Sequence, residues 1–299
     1  DQFKKAEGVE CAERVLPMAK PTVKMTPYSA SGASMQATAS TFDDPLLAKQ
    51  WHYYNDGSVN ARAKKGADCN VKPVWEKYTT GKKNVIVAVV DGGIDITHED
   101  LKDNLYVNEK EKNGQPNVDD DGNGFVDDIY GYNFVTAKDV VGGTIEPDDG
   151  GHGTHVAGTV AARNNNGIGV CGIAGGNGDA NSGVRLMSCE IYGHDGTTET
   201  ATTKYIVKAF EFAAENGASV MNCSWGYAFD RKKYLNNENF QSIFKSQFDL
   251  LKDGIDYFTD VAGCDKDGKK KPDAYMKGGL IFFASGNDSQ YDIDMIPAS

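Results

Sequence analysis

Three side chains of types that take part in hydrolysis stand where a chain would expose them. Asp91 directly follows an apolar run at residues 85–90, in VVDGGID. A carboxylate there can orient a histidine, bind a metal, or cap the turn that Gly92 and Gly93 permit. His152 lies in DDGGHGTHVAGTV, with glycines on both sides that leave its ring at a helix start with little steric cover. Gly158, a turn and a half later, is expected to let that helix pack closely on a neighbour. Asn287 follows an apolar run at residues 280–284, in FFASGND. Its amide either forms a turn or donates a hydrogen bond to a developing oxyanion. Another run ends in Ser224-Trp225-Gly226, an extended glycine-containing piece suited to backbone pairing with a peptide. Asp91, His152 and His155 do not have zinc-hydrolase spacing such as HExxH, so metal-assisted hydrolysis is the weaker reading.

The elements that must carry these groups follow from hydrophobic pattern. Residues 85–90 (VIVAVV) are continuous, β-branched and short, as in a strand buried on both faces. Residues 184–191, 219–223 and 280–284 are three further strand candidates. Residues 152–163 are small and apolar enough for a buried helix. Residues 198–216 place Ile206, Ala209, Phe210 and Ala213 on one helical face, with Gly217 as a stop. Strands alternating with helices imply βαβ units: an α/β fold with a largely parallel central sheet covered by helices on both faces. In such sheets functional residues collect at the carboxyl ends of the strands, which is where Asp91, Ser224 and Asn287 fall.

Composition narrows the partners. The 299 residues carry a net charge of −12, with 39% hydrophobic and 25% charged residues, a globular balance. The acidity argues against nucleic acid, since the one basic run, residues 269–271, reads as a solvated loop. No apolar run is long enough for a membrane span, and the first residues lack the apolar core of a secretory signal. Six cysteines form no CxxC pair; Cys171, Cys189 and Cys223 lie in apolar stretches and read as small core residues. Residues 1–41, with Pro17, Pro21 and a low-complexity run at 29–40, read as an arm with a short strand-like piece at 8–15. The folded domain is expected over residues 42–299.

Between the Asp and His blocks, residues 118–128 read VDDDGNGFVDD. Asp119, Asp121 and Asn123, the backbone carbonyl of Phe125, and Asp127 alternate as a hard cation requires, with Gly124 allowing the bend. Position 12 of an EF-hand would be Glu and is here Tyr130, so the full motif is absent. The expectation is a structural calcium ion; the alternative is a bare acidic hairpin, disfavoured because so many carboxylates repel one another.

The blocks VVDGGID, HGTHVAGT, NCSWG and ASGND, in that order, resemble the subtilisin-like serine proteases. The likeness runs from about residue 43 to the last residue and includes DDPLLAKQWHY and THEDL. It implies that Asp91 is the triad carboxylate, His152 the general base and then acid, and Asn287 the side-chain donor of the oxyanion hole. It also implies that Ser224, Trp225 and Gly226 form one wall of the substrate cleft. Gly196 and Thr197 would form the opposite wall, although the family's Gly-Ser-Gly is here Gly-Thr-Thr. Similar acidic inserts in the family support calcium, and the family implies export or a cell-surface position. GVECAERV resembles the closing strand of the family's inhibitory prodomain, so residues 1–41 are read either as a prodomain remnant whose tail can enter the cleft or as an Ala- and Ser-rich linker.

The family's nucleophile sits in a Gly-Thr-Ser-Met-Ala-x-Pro helix start after the asparagine, and these 299 residues contain no such motif. Gly32-Ala33-Ser34-Met35 is a poor imitation, on the wrong side of the domain and without the proline. The expectation is therefore a serine endopeptidase acting on polypeptides, represented here by the N-terminal part of its catalytic domain. A complementary C-terminal polypeptide would carry the last strands and the serine. The rival is a non-catalytic peptide-binding or structural module on the same scaffold, which would have no need of both Asp91 and His152.

Overall fold

A computed structural model describes residues 42–58, 61–135, 151–192, 200–226 and 236–287, together with 18–19 and 138–139; at 18, 19, 138, 139, 200 and 240 it describes the backbone alone. The expected strand at residues 8–15, the low-complexity run and Ser34 lie outside these.

The expected strands form one sheet. β2 (Ile86–Asp91), β5 (Arg185–Glu190), β7 (Val220–Cys223) and β8 (Leu280–Phe283) run parallel, joined by β3 (Gly131–Asn133) and, antiparallel to it, β4 (Lys138–Asp139). The order is β4-β3-β5-β2-β7-β8, so β2 is central and its carboxyl end carries Asp91 as its last residue.

Period-2 alternation divides the core. Val87 and Val89 of β2 pack with Leu186, Ala157 and Ala161 on the face of α3 (His152–Ala161). Ala88 and Val90 pack with Met187, Cys189, Phe210 and Phe258 on the opposite face, under α4 (Thr203–Glu215) and α5 (Glu238–Val261). Both faces are thus covered by helices. A third cluster, Phe42, Tyr53, Val71, Trp75 and Cys171, anchors the start of the domain, where α1 (Lys72–Lys77) contributes Trp75.

Two helix bounds differ from expectation for local reasons. Thr200 and Ala201 form a short strand, β6, paired antiparallel with Met18 and Ala19 of β1. The extended Thr202 then caps α4 by accepting from the Tyr205 N–H, so the helix begins at Thr203, not at residue 198. α3 ends at Ala161, and the Arg163 N–H donates to the Asp100 carbonyl. The 24-residue α5 was not anticipated, although Leu251, Ile255, Phe258 and Ala262 recur at helical spacing and pack into the core. Among the described residues β8 pairs only with β7, and Leu280 and Phe282 are 49% and 56% exposed along it.

Candidate active site

Asp91 is wholly buried at the end of β2, and the next residue turns its N–H back onto the carboxylate: Gly92 N to Asp91 Oδ1 is 2.7 Å. His152 is the first residue of α3, preceded by Gly151 in the left-handed region (φ 61°). Its Nδ1 lies 2.7 Å from the same Asp91 Oδ1. The imidazole side chain is 16% exposed and the carboxylate 1%, so one edge of the ring faces outward while the other is held from within.

Glycine geometry enforces this meeting. A β-carbon on Gly153 would stand 2.2 Å from the Gly93 carbonyl oxygen, so the first turn of α3 is pressed directly onto the backbone leaving β2. Nothing lies within 4 Å of a β-carbon on Gly158, so the close approach expected there belongs to Gly153. The Asp95 N–H donates to Thr154 Oγ1 and the Ile94 N–H to Ser188 Oγ, tying DGGID to both α3 and β5. His155 points outward from the helix and takes no part.

Of the expected cleft residues, Ser224 and Gly226 continue from the end of β7, next to β2. Trp225 is turned the other way. Its ring is buried, stacks on Phe210 with centroids 6.4 Å apart, and donates from Nε1 to the Val90 carbonyl at 2.7 Å. Its indole props the residue before Asp91. Asn287 follows β8 beyond Gly286 (φ 91°) and is exposed, on the carboxyl side of the sheet that Asp91 shares. Gly196 and Thr197 lie outside the described residues.

In the acidic loop the structure gathers a different set from the expected one. Carboxylate oxygens of Glu111, Asp121 and Asp128 lie within 4.8 Å of one another. Asn108 Nδ2 donates to both Asp121 and Asp128, and Asn123 Nδ2 donates to Asp128. Burial, reinforced by the Asp121 and Glu111 charges, pushes the Asp128 carboxyl up to about 7. Asp119 instead accepts from the N–H groups of Gly122, Asn123 and Gly124, and Asp127 from that of Asn117. The Phe125 ring packs against Tyr132 and Phe212. Asp127 has φ 55°, a reversal that sends its own side chain outward and the next one inward. Asp128, one position beyond the expected Asp127, is the carboxylate that joins the cluster. Glu111, on the short helix α2 (Glu109–Lys112), and Asn108 reach the loop only through the fold, which sequence spacing does not show.

A family model described as "Subtilase family" matches residues 82–297 of this chain. Subtilisin-like protease 1 of Plasmodium vivax is 33% identical over 189 residues, and that of Plasmodium falciparum 34% over 188, each alignment covering 62% of this chain. Kexin of Saccharomyces cerevisiae is 28% identical over 253 residues, 83% of this chain and 22% of its own. The chain spans about a quarter of the length of the two Plasmodium relatives, 26% and 24%. Among solved structures, a serine protease of Aeromonas sobria is similar at 24% identity with a TM-score of 0.44, covering 82% of this chain and 35% of that one.

Proposed function

The chain belongs to the subtilase family, and on that premise we propose that Asp91 and His152 are the carboxylate and the general base of a serine endopeptidase. The 2.7 Å contact between Asp91 Oδ1 and His152 Nδ1 carries this reading. An ionised Asp91 accepts from Nδ1–H, which leaves Nε2 unprotonated at the outward edge of the ring. Nε2 takes the proton of the attacking serine hydroxyl and later returns it to the leaving amine. Asp91 stays ionised throughout and stabilises the imidazolium formed between these two transfers. Asn287, beyond β8, donates to the oxyanion of the tetrahedral intermediate. The backbone of Ser224 to Gly226 pairs with the peptide on one side and Gly196 and Thr197 bound it on the other.

The serine comes from outside these 299 residues, either from the same polypeptide or from a complementary one. Two observations support this part: the absence of a Gly-Thr-Ser-Met-Ala motif, and the exposed apolar Leu280 and Phe282 on one face of β8, which among the described residues pairs only with β7. Residues 1–41 serve as a prodomain remnant, and residues 42–299 as the N-terminal part of the catalytic domain. The antiparallel pairing of Met18–Ala19 with Thr200–Ala201 suits such a segment docking on the catalytic domain. A structural calcium ion would be held by Glu111, Asp121 and Asp128, where a buried carboxyl amid like charges is stabilised by a hard cation. Export or a cell-surface position accords with that ion; among the described residues no helix is long and apolar enough to cross a membrane.

A fluorophosphonate probe applied to the full-length protein tests the proposal. The expected result is labelling of one serine-bearing polypeptide, lost in His152→Ala. No labelling of a folded sample would instead favour a non-catalytic peptide-binding module.

A further inference from the structure

The amino end of the sheet, opposite the catalytic pair, contains two buried guanidiniums that form no ion pair among the described residues. Arg163 follows α3 and Arg185 opens β5, and they are only 7% and 8% exposed. They share one acceptor, Asn104 Oδ1, at 3.1 Å from each. Their other bonds go to neutral carbonyls: Arg163 to Ser182 and Asp179, Arg185 to Val184 and Ala180. Among the described residues no carboxylate stands within ion-pair distance of either. Two like charges largely removed from water, with the Asp103 charge acting on Arg185 only from beyond ion-pair distance, are an unfavourable arrangement, and an anion between them relieves it. In a chain of net charge −12 they are also out of keeping with the rest of the molecule.

Both arginines line a cleft of about 1080 Å³ whose wall also carries Lys83 and Lys102. A guanidinium has five N–H donors and only three bonds are present at each here, so donors remain for a ligand in the cleft. Burial first, and then the Arg163 charge, pull the Arg185 guanidinium below its ordinary value, more than the Asp103 charge restores it.

We propose that this cleft is a binding site for a small oxyanion ligand, one bearing a phosphate or carboxylate group, held by Arg163 and Arg185 and gathered by Lys83 and Lys102. Planar forked donors suit either headgroup. Carboxylates in the same cleft, Asp103 among them, disfavour an extended polyanion and select a compact ligand. The site is separate from the catalytic one. Arg185 pairs in register with Ile86 at the start of β2 and Asp91 ends it, a span of roughly 17 Å for five strand residues.

Titration calorimetry of the full-length protein with phenyl phosphate and, separately, benzoate, at ionic strength held constant with chloride, tests this. The two probes share a ring and differ in headgroup, so their relative affinities identify which oxyanion the site takes. Saturable binding of one or both is expected, unchanged in His152→Ala and weakened about tenfold or more in Arg185→Gln, from the loss of a charge-assisted contact. Lys102, exposed on the rim, keeps the test open if Arg185→Gln fails to fold: Lys102→Gln should weaken binding with the circular dichroism spectrum intact. No saturable binding of either probe, or binding that Arg185→Gln and Lys102→Gln both leave unchanged, overturns the proposal.

Discussion

Replacing Asp91 with asparagine separates the charge of this residue from its geometry. The Gly92 N–H, 2.7 Å from Oδ1, requires an oxygen in that place, so the amide of Asp91→Asn sets its carbonyl there and its NH₂ where Oδ2 was. His152 Nδ1–H keeps its acceptor and the tautomer is retained. What disappears is the negative charge beside the imidazolium that forms as the serine attacks. With charge centres roughly 4 Å apart and an effective dielectric of about 20, that attraction is ~4 kcal/mol. At about 1.4 kcal/mol per decade, turnover should fall on the order of 10³-fold. KM should stay within a few-fold, since substrate does not bind through this pair. Oδ2 is buried and, among the described residues, without a partner, so the NH₂ that takes its place exchanges one unpartnered polar group for another and stability should stay within about 1 kcal/mol. Steady-state hydrolysis of a fluorogenic peptide by the full-length protein, with urea unfolding alongside, measures both. A folded Asp91→Asn enzyme retaining more than about a tenth of wild-type turnover would refute the assignment.

Other consequences are equally direct. Gly153→Ala should destabilise by about 1–3 kcal/mol and disturb activity, because its β-carbon meets the Gly93 carbonyl. Gly158→Ala, in open space on the same helix, should stabilise by about 0.5–1 kcal/mol; urea midpoints of the two variants must move in opposite directions. Chelation should lower the melting temperature on the order of 5–10 °C if calcium saturates its site about a hundredfold. Asp128→Asn should abolish that response in differential scanning fluorimetry while Asp119→Ala keeps it, since Asp119 only caps a turn. Trp225→Phe leaves the Val90 carbonyl without its indole donor, so a loss of about 1–3 kcal/mol is expected, with kcat falling more than substrate affinity.

Much of the architecture was legible because its signals are local. The run at residues 85–90 is apolar at every position, which only a strand covered on both faces can use, and β2 is central. Ile206, Ala209, Phe210 and Ala213 mark the buried face of α4 by spacing alone. The arginine pair was invisible by contrast: Arg163 and Arg185 are 22 positions apart, and the fold brings them to one acceptor, Asn104, at the end of a short 3-10 turn far earlier in the chain.

By itself the sequence determined which chemistry was on offer, an aspartate ending a buried strand and a histidine in a glycine frame starting a helix, because residue type and neighbours are local properties. Only the tertiary structure decided which oxygen of Asp91 faces His152, that Gly153 and not Gly158 makes the close contact, that the Trp225 ring points inward, and that Asp128 and Glu111 join Asp121. Each of those depends on the direction of a side chain or the approach of segments distant in the chain. A single backbone reversal such as that at Asp127 is enough to exchange which of two neighbouring carboxylates faces inward.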